Sequence, residues 1–74
     1  MTKLPRLTGR QLFAAFHKAG FEVIWVKGSH HFLRHPDGLR TVVPVHQGET
    51  IGPGLMSKIL RDCEMTHDEL LELL

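Results

Sequence analysis

The sequence predicts a small α+β domain in which a three-stranded antiparallel sheet carries helices on one face and leaves the other open, in the order αβββαα. Three observations point to this fold. Apolar residues recur at helical spacing through residues 9–19 and again after Pro53. Between these stretches, three short runs rich in β-branched and aromatic residues are separated by Lys27-Gly28-Ser29 and Pro36-Asp37-Gly38, both of turn chemistry. Two Thr-x-x-Gln/Glu patterns, Thr8 with Gln11 and Thr66 with Glu69, have the form of capping boxes that start helices. A chain of 74 residues leaves room for one small core, so a single domain over residues 1–74 is expected.

Each element follows from local chemistry. Thr8 and Gln11 open a helix from Gly9 to Ala19, with Leu12, Phe13, Ala15 and Phe16 turned inward and Gly20 as a left-handed stop. The first strand is Phe21 to Val26, apolar on both alternations, so its pattern does not tell which side is buried. His30 to Arg34 is the second strand and Leu39 to Val43 the third. Pro44 has no amide proton for a ladder and marks an edge or the strand's exit. Gln47 to Gly52 reads as a polar loop. Pro53 suits the first turn of a helix that carries Leu55, Ile59 and Leu60 inward and ends near Cys63. The second capping box precedes a short terminal helix holding Leu70, Leu71, Leu73 and Leu74. An α-β-β-β-α order with a short extra C-terminal helix is double-stranded-RNA-binding-domain-like, although a fold does not name a function.

Composition excludes several classes. Hydrophobic residues make up 42% and charged residues 23%, which is ordinary for a globular chain. No apolar run approaches the roughly 20 residues that span a bilayer, so no membrane association is expected. The start, Met1-Thr2-Lys3-Leu4-Pro5-Arg6, has no apolar signal region, and the single Cys63 has no partner for an internal disulfide. A cytoplasmic location is expected from these features.

The net charge of +1 conceals an asymmetry. Residues 1–46 hold seven basic residues (Lys3, Arg6, Arg10, Lys18, Lys27, Arg34, Arg40) against Glu22 and Asp37, a net of +5. Residues 47–74 hold Lys58 and Arg61 against six acidic residues, a net of −4. Taken alone, such blocks are solvated faces. Five of the six histidines lie in the basic half, which favours an anionic partner such as RNA.

His30 and His31 sit at the mouth of the second strand beside a Gly-Ser turn. Neighbouring side chains on a strand point to opposite faces, so the pair does not chelate one ion, and neither Cys-x-x-Cys nor His-Glu-x-x-His spacing occurs. No metal site and no cofactor are expected. Ser29 lacks the surroundings of a nucleophile elbow, and the nearest acid, Asp37, lies in the next turn. A histidine on a basic surface does suit acid/base work on RNA, because its pKa of about 6.5 lets it exchange protons near neutrality. The 2′-hydroxyl would be the nucleophile, with Lys27 and the amides of Gly28 and Ser29 balancing the charge that develops on the phosphate. From spacing alone, surface histidines without catalytic duty are the plainer reading.

The local sequence goes further. Lys27-Gly28-Ser29-His30-His31-Phe32, followed by His35-Pro36-Asp37-Gly38 and Val42-Val43-Pro44-Val45-His46, resembles the signature of the HicA toxin family of mRNA interferases. The likeness continues through Glu49, Ile51, Gly54, Leu55, Ile59, Leu60, Met65, Thr66, Glu69 and Leu70, and so covers nearly the whole chain. It implies a double-stranded-RNA-binding-like fold, endoribonuclease action on mRNA as the toxin of a type II toxin–antitoxin system, and neutralisation by a cognate HicB-type antitoxin protein. The family's single catalytic histidine, in its Gly-Ser-His element, falls on His30. His31 doubles it, as also happens within the family, and which of the two faces the substrate is left open. Lys27, Gly28, Ser29 and His31 are the expected substrate contacts, and His46 is read as a surface or supporting residue.

One further residue has two readings. Trp25 is expected in the core, with base stacking on an open sheet as its alternative. His17, His67 and Cys63 are given no function. Against the enzyme stands a non-catalytic RNA-binding or adaptor module on the same fold, and behind it a purely structural role.

Overall fold

Thr8 opens the first helix as its capping pattern requires. In the computed structural model, which describes residues 5–74, its hydroxyl accepts the Gln11 amide at 3.1 Å while the Gln11 side chain accepts the Thr8 amide at 2.9 Å. Lys3 and the chain start Met1 to Leu4, both used in the sequence reading, lie outside the described residues. Helix α1 (Gly9–Lys18) buries Leu12, Ala15 and Phe16 and ends at Ala19, after which Gly20 takes φ +102°. Phe21 then returns against the helix, its amide donating to the Phe16 carbonyl at 3.0 Å and its ring 5.3 Å from that of Phe16.

Strands β1 (Glu22–Lys27), β2 (His30–Arg34) and β3 (Arg40–Pro44) form an antiparallel sheet in sequence order. Each of the outer two is displaced by one residue from its expected span, because Phe21 and Leu39 leave the ladder. The β2–β3 turn closes as its sequence predicts. Asp37 Oδ1 accepts the Leu39 amide at 3.0 Å, and Gly38 takes φ +101°. Pro44 ends edge strand β3 opposite His30.

Helix α2 (Pro53–Asp62) and helix α3 (His67–Leu73) complete the order, α3 starting from the Thr66–Glu69 capping box. The core is built from Leu12, Phe16, Leu33, Val43, Ile59 and Leu70, all nearly inaccessible. Ile51, in the stretch expected to be a polar loop, is buried too. Its amide donates to the Leu7 carbonyl at 2.7 Å, and Thr8 bridges Thr50, so this loop is strapped to the segment before α1.

Two core assignments from the sequence are corrected. Leu55 is exposed and Met56 takes its place inside, because Met56, Ile59, Leu60 and Cys63 form the i, i+3, i+4, i+7 stripe of α2 and Leu55 lies one residue around from it. Trp25 is not core but 57% exposed. The helices pack chiefly over β3, which leaves every residue of β1 exposed. A bulge at Ile24, between the Val23–Leu33 and Trp25–Phe32 pairs, resets the alternation and brings Trp25 opposite Phe32.

Candidate functional site

The β1–β2 turn gathers most of the residues singled out by the sequence. Gly28 takes φ +59° and Ser29 does not follow it into the left-handed region, the pattern of a two-residue type II′ hairpin. This turn makes Lys27 and His30 direct partners across the strands. Facing residues at such a position have Cβ atoms about 4.5–5.5 Å apart, within which an ammonium and an imidazole reach one phosphate. Both side chains are exposed.

His30 and His31 divide between the two faces of the sheet. His31 turns toward α1, half-buried, its ring 5.8 Å from Phe13 and its Nδ1 3.2 Å from the Ser29 carbonyl oxygen. A carbonyl only accepts, so that bond requires the proton on Nδ1. His30 projects on the opposite, open face beside Phe32 and Arg34 in strand alternation. Lys27, Gly28 and Ser29 share this end of the sheet with His30, whereas His31 approaches it from the helix side.

Ser29 is the knot of the turn. Its carbonyl accepts the Val45 amide at 2.7 Å as well as the His31 contact, and its hydroxyl lies 3.0 Å from His46 Nε2. His46 in turn lines a recess of about 330 Å³ with Thr8, Arg10 and Gln47. The N-terminus of α1 is drawn in close here, because Gly9 presses against the Pro44 carbonyl with no space for a side chain. The Ser29–His46 link was not foreseen in the sequence; its only sequence signal is that His46 follows the strand that must end beside the turn.

The open face is basic and aromatic. Lys27, His30, Arg34 and Arg40 occupy it by strand alternation, with Glu22 the acidic residue among them. Asp62, near the β3 edge, is paired with Lys58 at 3.0 Å. Trp25 and Phe32 lie on the same face with ring centroids 5.0 Å apart and planes inclined by 31°.

Several other titratable groups serve the fold. His35 reaches the Ala19 carbonyl at 3.1 Å through Nε2 and Asp37 at 2.9 Å through Nδ1, tying the end of α1 to the β2–β3 turn. The Leu39 amide, with His35 beside it, holds the Asp37 carboxyl below its usual range. The Thr66 amide does the same for Glu69. Burial pushes the Cys63 thiol up to about 11, which makes it a poor nucleophile at neutral pH. Asp37 sits at the far end of β2 from Ser29, so no Ser-His-Asp array forms. Among the described residues, no three of His, Cys, Asp and Glu converge, and no helix is long and apolar enough to cross a membrane.

No curated protein gives a significant match. A family model described as HicA toxin of bacterial toxin-antitoxin matches residues 9–65, from the first residue of α1 through α2 and the entry to α3. The matched span takes in the sheet, the Lys27–His30 turn and His46, and as it covers well over half of the sequence, the chain belongs to the HicA toxin family of bacterial toxin–antitoxin systems.

Proposed function

We propose that this toxin is a metal-independent endoribonuclease acting on mRNA in the cytoplasm, with His30 as its acid/base. The observation that carries the reading is the pairing of His30 with Lys27 on the open, basic face, at a turn whose backbone is held by Ser29. An RNA 2′-oxygen attacks the adjacent phosphorus, forming the O2′–P bond and breaking the bond from phosphorus to the 5′-oxygen. His30 serves either as the base that takes the 2′-hydroxyl proton or as the acid that protonates the leaving 5′-oxygen, and water exchanges the other proton. The step thus consumes no net proton and leaves a 2′,3′-cyclic phosphate and a 5′-hydroxyl. Lys27 and the Gly28 and Ser29 amides offset the charge on the phosphate in the transition state. His31 supports the turn through the Ser29 carbonyl.

Membership of a toxin–antitoxin family implies a cognate antitoxin. A HicB-type antitoxin would neutralise the toxin most simply by covering the Lys27–His30 face and excluding RNA. The test is induced expression of the native chain and of His30→Ala, following growth and total RNA. The reading expects arrest and RNA cleavage with the native chain alone. If the variant arrests growth and cuts RNA as well, His30 is not the acid/base and His31 is next; if it arrests growth without cutting, the protein acts by binding, as an adaptor would.

A further inference from the structure

Trp25 is the largest exposed apolar side chain on β1, and it lies where a soluble protein has reason to bury one. It is not isolated. Phe32, its cross-strand partner, supports one side of the indole at 5.0 Å, so the two rings make a firm aromatic surface. The Lys27–His30 pair lies two residues along the same strands, on the same face, which is about 7 Å away. On the other side of the rings stand Arg34 and Arg40, register partners of each other. An aromatic platform within a cationic surface is complementary to a chain of phosphates bearing unpaired bases, and base–aromatic stacking requires bases that are not already stacked in a duplex.

We propose that Trp25 and Phe32 form a stacking platform for an unpaired base next to the phosphate held at His30, making single-stranded RNA the preferred substrate form. The proposal rests on the ribonuclease reading and adds a substrate class and two binding residues to it. Lys27, Arg34 and Arg40 hold the backbone on either side of the stacked base. A double helix binds more weakly because its bases are withheld from the indole. The platform is sequence-tolerant, since every base offers a π face.

Trp25 is the only tryptophan, so its fluorescence reports this site alone. The probe is a ten-nucleotide RNA of mixed sequence with 2′-O-methyl groups, which binds but has no 2′-hydroxyl to attack, used single-stranded and as a blunt duplex. The single strand is expected to quench the fluorescence to saturation, and the duplex to leave it nearly unchanged. By anisotropy of a labelled strand, Trp25→Ala should bind about 5- to 150-fold more weakly, while Trp25→Phe stays within about threefold of the native chain. The dependence of log affinity on log salt should be the same in all three proteins, because no phosphate contact is removed. Binding of the single strand without quenching, or equal affinity of Trp25→Ala and the native chain, overturns the platform and leaves the ribonuclease reading intact. A native chain that binds neither form overturns both.

Discussion

The Ser29 hydroxyl lies 3.0 Å from Nε2 of His46, a contact between residues 17 apart that ties the β1–β2 turn to the exit of β3. The same turn carries His30, so the pair holds the backbone from which the proposed acid/base projects. Ser29→Ala and His46→Ala are each expected to slow RNA cleavage by about 2- to 13-fold, since one lost hydrogen bond is worth roughly 0.5–1.5 kcal/mol. The double variant should be no slower than either single one, because both remove the same interaction. Rates that fall additively would show two independent roles instead.

Gly9 gives a prediction opposite to helix propensity. Alanine inside a helix is ordinarily favoured over glycine by about 1 kcal/mol. At Gly9 an added Cβ would fall 1.9 Å from the Pro44 carbonyl oxygen, backbone that does not yield cheaply. Gly9→Ala should therefore destabilise by about 2 kcal/mol or more and lower the melting temperature by roughly 10 °C. Gly54→Ala, with nothing within 4 Å of its Cβ, should raise it slightly. Thermal melts followed by circular dichroism separate the two, and equal behaviour would contradict the close approach of α1 to β3.

Cys63 sets a limit at alkaline pH. Its thiol is raised from 9.0 to about 11 chiefly by burial, so the folded state favours the neutral form. A pKa raised on folding contributes stability that is complete below the unfolded value and lost as pH rises through the folded one. Unfolding midpoints in urea should thus fall between pH 9 and pH 11, and less so in Cys63→Ala. Iodoacetamide at pH 8 should label the denatured chain and spare the native one; rapid native labelling would mean that the thiol is not buried.

Much of the fold was legible because its signals are local. Thr8–Gln11 and Thr66–Glu69 act over three residues, and the turns at Gly28 and Gly38 depend on residues within them. The split of His30 and His31 between faces follows from strand geometry, although which histidine took the open face depended on where the helices pack. Trp25 was not legible. β1 is apolar on both alternations and a bulge at Ile24 resets its parity, so only the placement of the helices over β3 decides its exposure. Leu55 and Met56 compete for one stripe, and the choice is made by tertiary packing. The Ser29–His46 contact and the tightness at Gly9 join distant segments and are properties of the assembled sheet end.

Two single variants assayed side by side decide whether His30 performs the chemistry from the open face while His31 braces the turn. Purified native chain, His30→Ala and His31→Ala are compared for cleavage of a single-stranded RNA in EDTA, and for affinity toward its uncleavable 2′-O-methyl form. His30→Ala is expected to lose about 100-fold or more in rate, the contribution of general acid/base catalysis, with affinity changed only a few-fold. His31→Ala should keep its rate within about tenfold of the native chain. A His30→Ala protein that cleaves at the native rate, or a larger loss in His31→Ala than in His30→Ala, would contradict this division of roles.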